Sequence, residues 1–282
     1  MKILVTGAKG QLGTDVLREL SLRDIDHKGV DREDFDITDD AAVIDCLKRY
    51  LPDLVIHCAA YTAVDSAEEN PELCFKVNAH GTESLSKICT EIGAGLIYVS
   101  TDYVFDGAGD LPFETDAPKS PLQTYGRSKL AGEEVIMKYM NNYFIVRVSW
   151  VFGSYGNNFV KTIQRLSNYR EIINVVNDQI GSPTYTADLV VLLCDIALSG
   201  KYGIYHATNE GCCSWAEFAQ VIIDLNGSSC RINPVPSKQY PTKAVRPMNS
   251  RLSKTSLDES GFKRLPDWRD ALMRFVKEQK NE

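Results

Sequence analysis

The chain has 282 residues, 44% of them apolar and 24% charged, with 31 basic against 38 acidic side chains and a net charge of −7. Such proportions belong to a soluble globular protein. The acidic balance speaks against a nucleic-acid surface, which needs a basic stripe, and no apolar run approaches the roughly 18 residues of a membrane-crossing helix. At about 150 residues per domain, the length allows one large domain or two small ones.

Lys2–Val5 reads as a buried strand and Leu12–Leu20 as a helix, with His27–Val30 a weaker second strand. Residues 41–50 carry Val43, Ile44 and Leu47 at helical spacing. Leu54–Cys58 reads as a strand, 71–92 as one long helix, Leu96–Val99 as a strand, Tyr125–Met140 as a helix and Phe144–Val148 as a strand. Strands that are apolar throughout and alternate with helices predict a parallel sheet covered on both faces. The fold class is therefore α/β, a doubly wound, Rossmann-like sheet whose ligand crevice lies beyond the carboxyl ends of its strands.

Past residue 150 the pattern is less regular. Helices are expected over Phe159–Leu166, Ala187–Leu198, Trp215–Leu225, Lys254–Ser260 and Trp268–Lys277. Strands are expected over Ile172–Val176, Tyr202–Ala207 and Ile232–Val235, followed by a Pro-rich loop from Pro234 to Pro247. The expected division is a dinucleotide-binding domain of 1–150 plus about 172–200, and a smaller α+β substrate lobe of about 151–171 plus 201–282.

At the start, Lys2 is followed only by Ile3-Leu4-Val5 before Thr6-Gly7, which is short of the apolar stretch of about 7–15 residues in an export signal. Cytoplasmic residence is the expectation. The eight cysteines form no C-x-x-C pair and read as buried thiols. The four histidines lack ligand spacing, so no metal site is expected.

The first strand runs into Gly7-Ala-Lys-Gly10-Gln-Leu-Gly13 and then a helix. One glycine permits the turn, a second lets a pyrophosphate approach the backbone, and a third lets helix and strand pack closely. The helix N-terminus offers free N–H groups to the anion. Asp31 ends the second strand, where a carboxylate suits the ribose hydroxyls of NADH, and Arg32 beside it suits the 2′-phosphate of NADPH. The residues leave the two open. Asp36 and Ile37 follow at a spacing suited to the adenine edge.

Tyr125-Gly-Arg-Ser-Lys129 places a phenol and an ammonium one helical turn apart. A nearby ammonium lowers a phenol's pKa. Ser100-Thr101-Asp102-Tyr103 puts a hydroxyl at the carboxyl end of a strand, where the crevice lies. Trp150, Asn158, Gln179 and Arg246 each have a second reading, as core, capping or surface residues.

These motifs resemble the extended short-chain dehydrogenases/reductases. Four more bring the resemblance to the dTDP-4-dehydrorhamnose reductase family: Ser149-Trp150-Val-Phe-Gly, Gly156-Asn157-Asn158-Phe159, Asn177-Asp178-Gln179-Ile-Gly181-Ser-Pro183-Thr184 and Arg246-Pro247-Met-Asn-Ser250. The resemblance implies NAD(P)H-dependent reduction of the C4 ketone of a dTDP-4-keto-6-deoxy sugar. It casts Tyr125 as proton donor, Lys129 as the ribose-holding residue that lowers the tyrosine pKa, and Thr101 as donor to the carbonyl. Gly7, Gly10, Gln11, Leu12 and Gly13 would hold the pyrophosphate, and Ala59, Ala60 and Thr62 the ribose and nicotinamide. Asp102, Tyr103, Trp150 and Asn158 would face the sugar. Arg246 would meet the diphosphate, and the helix N-terminus, Lys129, Arg246 and Arg147 could together make the crevice positive. A homodimer is left open. The alternatives are another epimerase, dehydratase or reductase of the same superfamily, and a non-catalytic NADP-binding regulatory subunit of methionine adenosyltransferase. The intact Thr101, Tyr125 and Lys129 speak against the last.

Overall fold

The computed structural model describes residues 1–280. The first part of the chain alternates as its apolar pattern requires: β1 (Lys2–Thr6), α1 (Gln11–Leu22), β2 (Asp26–Val30), α2 (Asp40–Tyr50) and β3 (Leu54–His57). The carboxylate of Asp39 caps α2 by accepting the N–H groups of Ala41 and Ala42. Next come α3 (Val64–Glu69), α4 (Pro71–Phe75), α5 (Gly81–Ile92), β4 (Gly95–Thr101), α6 (Thr124–Tyr139) and β5 (Tyr143–Val148).

The helix expected over 71–92 is interrupted. Pro71 opens α4 at its first turn, where a missing N–H is harmless. A π turn over Lys76–His80 then separates α4 from α5. That turn brings Asn78, a poor helix former, fully inside.

The remainder is made of β6 (Val151–Phe152), α7 (Phe159–Ser167), β7 (Ile172–Val176), β8 (Ile180–Gly181), β9 (Thr184–Tyr185), α8 (Thr186–Ser199) and β10 (Gly203–His206). After them come β11 (Cys213–Ser214), α9 (Trp215–Asn226), β12 (Arg231–Val235), β13 (Asn249–Ser250), α10 (Thr255–Glu259) and α11 (Trp268–Gln279). Among the described residues no helix is long and apolar enough to cross a membrane.

Six strands form one parallel sheet in the order β10-β5-β4-β3-β1-β2. The chain runs from β1 outward to β2 and then crosses to β3 on the other side of β1. The order therefore reverses between β1 and β3, and a crevice opens beyond their carboxyl ends. One face of the sheet is covered by α1 and α8, with Val16, Leu20, Leu189 and Leu193 fully buried. The other face packs Val43, Leu47, Leu85 and Ile136 from α2, α5 and α6. The second lobe holds small sheets, β7 with β12, β8 between β11 and β13, and β6 with β9. They surround an aromatic core containing Phe152, Phe218, Trp268 and Phe275.

Two segments depart from the expected division. Residues 172–176 pair with 231–235 in the second lobe, and 203–206 add the sixth strand of the large sheet beside β5. Within 172–200 only α8 packs on that sheet. Ile172–Val176 alternates exposed and buried, as an edge pair with one wet face does, unlike the almost wholly buried β1, β3 and β4.

Candidate active site

The glycine turn sits at the reversal point. Gly7 has φ +66°, and a Cβ there would lie 2.6 Å from the Ala59 nitrogen. A Cβ on Gly13 would lie 2.1 Å from the Gly7 oxygen. The glycines thus seat the turn between β1, α1 and the segment after β3. Gly10 caps α1 without any side-chain hydrogen bond, so the first N–H groups, at Gln11, Leu12 and Gly13, face the crevice with the positive end of the helix dipole. Leu12 turns its side chain to the core. A cradle that any Cβ would fill, floored by free N–H groups, fits a dinucleotide's pyrophosphate.

At the end of β2, the Asp31 carboxylate accepts the N–H groups of Lys9 and Arg32, at 2.9 and 2.8 Å. It is thereby fixed at the rim of the glycine turn, while Arg32 is exposed. Asp36 accepts the Thr38 N–H at 2.9 Å, which holds its carboxyl below the ordinary range. Ile37 is buried against Gly81 at the start of α5. After β3, Ala59 and Ala60 are half-buried and Thr62 is exposed.

Tyr125 lies in the first turn of α6, whose N-cap Gln123 accepts the Gly126 N–H at 3.0 Å. Lys129 is 1% exposed, and its ammonium lies 3.8 Å above the Tyr98 ring. Burial pulls it down to about 7, with Glu133 pulling the other way. The Tyr125 phenol is pushed upward, by burial first and then by the Asp102 carboxylate, while the Thr101 hydroxyl beside it opposes the rise. The expectation that Lys129 lowers this phenol is not met: burial and the Asp102 carboxylate set the direction, and the Thr101 hydroxyl, not Lys129, is the group that opposes them. A phenol so placed keeps its proton at neutral pH, as a proton donor must.

Thr101 ends β4. Its hydroxyl donates to Asp102 Oδ1 at 3.0 Å and accepts the Tyr103 N–H at 3.2 Å. Tyr103 sets its ring edge-on to Tyr125, with centroids 5.7 Å apart. Arg246 reaches in from the Pro-rich segment, donating to the Tyr103 hydroxyl at 3.1 Å and pairing with Asp65 at 2.5 Å. This segment spans the crevice as a strap. It is also held by the Ala244 N–H on Asp65 at 3.0 Å and by the Lys243–Glu69 ion pair.

The other residues are distributed less simply. Trp150 follows β5 in a left-handed conformation, φ +48°, rare for a bulky residue. Its indole stacks on Trp215, centroids 3.6 Å apart, and covers Gly181, where a Cβ would lie 2.7 Å from it. Asn158, expected against the sugar, instead caps α7 through the Lys161 N–H at 3.0 Å. Its amide donates to Gln11 of the glycine turn at 2.8 Å. The second reading, capping, is the one its geometry supports. Gln179 holds Ser237 at 2.8 Å, at the root of the strap. Arg147 does not reach the crevice. It is fully buried, pairing with Glu133 at 2.7 Å and donating to the Thr115 carbonyl at 2.8 Å.

Comparison with known proteins matches residues 1–281 to the family described as RmlD substrate binding domain. The chain belongs to this family. The spore coat polysaccharide biosynthesis protein SpsK of Bacillus subtilis is 39% identical over 278 residues, covering 99% of this chain and 98% of that protein. The dTDP-4-dehydrorhamnose reductase of Escherichia coli is 37% identical over 293 residues, covering 99% and 98%. The crystal structure of dTDP-4-dehydrorhamnose reductase from Bacillus anthracis in complex with NADP superposes with a TM-score of 0.96 at 41% identity, covering 98% of this chain and 99% of that one.

Within this family member, several structural supports of the site carry no role in the sequence reading. Asn78 accepts the Tyr61 N–H at 2.7 Å and donates to Ser128 at 2.9 Å, tying the segment after β3 to α6. The signal available was a polar residue within an otherwise amphipathic helix. Asp65 anchors the strap from 181 residues away in sequence, a distance at which no local pattern speaks. Glu133, fully buried, accepts from Ser100 at 2.5 Å as well as from Arg147, fixing the end of β4 to α6 and β5. His57, locked between Thr6 and Thr82 at 2.7 and 3.2 Å, is driven down to about 3 by burial and stays neutral beneath the site.

Proposed function

We propose that the protein reduces the C4 ketone of dTDP-4-dehydro-L-rhamnose to dTDP-L-rhamnose, using NADPH or NADH. The observation that carries this reading is one constellation. A protonated phenol, a hydroxyl beside it and a buried ammonium one turn away converge beyond the strand ends where the glycine turn opens. The full-length likeness to proteins named for this reaction supports it.

The residues divide the work. Gly7, Gly10, Gln11, Leu12 and Gly13 hold the pyrophosphate, and Asp31 and Arg32 the adenosine ribose with its phosphate, if present. Asp36 and Ile37 border the adenine, and Ala59, Ala60, Thr62 and Lys129 the nicotinamide side. The bound nicotinamide supplies the hydride. Thr101 and Tyr125 donate hydrogen bonds to the ketone oxygen, and Tyr125 gives it a proton as charge builds there. Tyr103, Trp150 and Arg246 wall the sugar nucleotide, with the Arg246 guanidinium offered to the diphosphate. In this reading the large sheet with α8 serves the cofactor, and the small sheets with the strap serve the sugar nucleotide.

Loss of nicotinamide absorbance with the dTDP-4-keto sugar tests the reaction, run separately with NADPH and NADH so that the ratio of rates reads the Asp31/Arg32 pair. Tyr125→Phe is expected to keep cofactor binding and lose kcat on the order of 10²–10⁴. Near-normal turnover by that variant, or no oxidation of either cofactor by the parent protein, overturns the reading.

A further inference from the structure

The Thr101 hydroxyl has one hydrogen and two lone pairs. The hydrogen is spent on Asp102 Oδ1, 3.0 Å away, and one lone pair takes the Tyr103 N–H at 3.2 Å. What is left for a substrate is a lone pair, which repels a ketone oxygen that is gaining negative charge. The other carboxyl oxygen, Asp102 Oδ2, is buried without a hydrogen bond of good geometry, on a side chain only 4% exposed, and the Thr101 and Ser250 hydroxyls are the side-chain groups that favour its charge. Among the described residues no salt bridge reaches it. An orphaned, ionised oxygen in such a place is costly. A single proton on Oδ1 removes the buried charge and frees the Thr101 hydrogen.

We propose that Asp102 is a positioning residue: protonated, it donates to Thr101 Oγ1 and so turns the one Thr101 hydrogen toward the ketone oxygen. The inference rests on the ketone-reductase reading above. The hydroxyl then accepts from Asp102 and from Tyr103 and donates to the substrate, with every partner accounted for. No bond other than hydrogen bonds changes at Asp102, and the proton delivered to product still comes from Tyr125.

The groups around the carboxyl agree. The Tyr125 phenol faces it from α6, the Tyr103 phenol from its own turn, and Ser250 from β13. Behind Tyr103 stands the Arg246–Asp65 pair, and Lys129 lies one turn along α6. Burial, opposed by the Ser250 and Thr101 hydroxyls, pushes the carboxyl up to about 6. The proton is thus within reach near neutrality, and the sign is fixed. An acid that must be protonated gives a kcat that is highest at low pH and falls as pH rises through its pKa.

The test has two arms. At saturating sugar and NADPH, the pH profile of kcat is expected to fall by about tenfold per pH unit above the Asp102 limb. Lys129 titrates in the same range, and Asp102→Asn separates the two. Its amide N–H donates to Thr101 at every pH, so whatever its absolute rate, the limb owed to Asp102 disappears. An unchanged limb in Asp102→Asn overturns the proposal. In the second arm, aspartate carboxyl carbons are labelled with carbon-13 in the NADP-loaded protein, and the Asp102 signal is assigned by its loss in Asp102→Asn. It is expected to titrate near 6. Titration together with the exposed aspartates overturns the proposal without any appeal to turnover. Absence of NADPH oxidation at every pH instead overturns the reductase reading, with the carbon signal still reporting on the Asp102 proton.

Discussion

The two sides of the crevice are built by different bonding. On the cofactor side, the glycine turn and the ends of β1, β3 and β4 belong to a six-stranded sheet whose pairing is continuous and whose apolar strands are almost wholly buried. On the sugar side, strands of two to five residues meet across long stretches of sequence, and the strap is fastened by side chains: Asp178 and Gln179 on Ser237, Asp65 on Arg246 and Ala244. The first arrangement is rigid before anything binds. The second rests on a few polar contacts, several partly exposed, which are individually weak and screened by salt. Cofactor affinity should accordingly depend on backbone packing, and affinity for the sugar nucleotide on a handful of hydrogen bonds.

The largest effect expected is on stability, where the two sides share a support. Glu133→Ala leaves the Arg147 guanidinium buried without its carboxylate, and breaking such a pair costs about 3–5 kcal/mol. The denaturant midpoint should fall accordingly, and the added Arg147→Met change should recover part of the loss. A shift within error would mean that water reaches Arg147 and the sheet end is looser than its burial implies.

Next comes Gly13→Ala. Its Cβ would sit 2.1 Å from a backbone oxygen that cannot rotate away, so the turn must shift, at about 1–3 kcal/mol for overpacking. Cofactor Kd should rise, read by quenching of protein fluorescence on titration with NADPH, while the sugar KM at saturating cofactor changes little. Unchanged Kd would show that the glycine turn does not hold the pyrophosphate.

The same contrast explains what could be read from sequence. The glycine turn, the Tyr125/Lys129 pair and the alternation of strands and helices are local patterns, each contained within about a dozen residues and fixed by covalent spacing. They place Gly7, Gly13, Thr101 and Tyr125 at one crevice because the sheet order does so. Arg147 misled because an arginine at a strand end resembles a crevice cation until Glu133 on the neighbouring helix is seen. Asn158 is hard to read from sequence because a cap and a ligand contact use the same amide. The strand at 172–176 was visible as a strand, but its partner lies 59 residues on, and period-2 alternation says that one face is wet without saying which sheet it joins. The second lobe is legible only where Pro, Gly or an aromatic marks a turn or core.

The smallest effect is the most informative about the strap. Asp178 accepts the Ser237 N–H at 3.0 and 2.8 Å and the Ser237 hydroxyl at 2.6 Å. Ser237 is where the chain leaves β12 for the strap, and the strap from there to Met248 walls a cavity of about 460 Å³ that also touches Arg246 and Gln179. Asp178→Ala removes these bonds but keeps Gln179 on Ser237, so the loss of stability should be only about 1 kcal/mol. The consequence for binding should be one-sided. With Ser237 less firmly held, Arg246 is presented in more than one position, and the sugar KM rises several-fold, by about the same 1 kcal/mol of lost preorganisation. Cofactor Kd stays where it was, because among the described residues no hydrogen bond or ion pair joins the glycine turn to residues 237–248. This is the mirror image of Gly13→Ala, and the pair of variants tests the division itself. If Asp178→Ala weakens cofactor as much as sugar, the strap is part of the cofactor site, and the Arg246–Tyr103 hydrogen bond is the contact through which it acts.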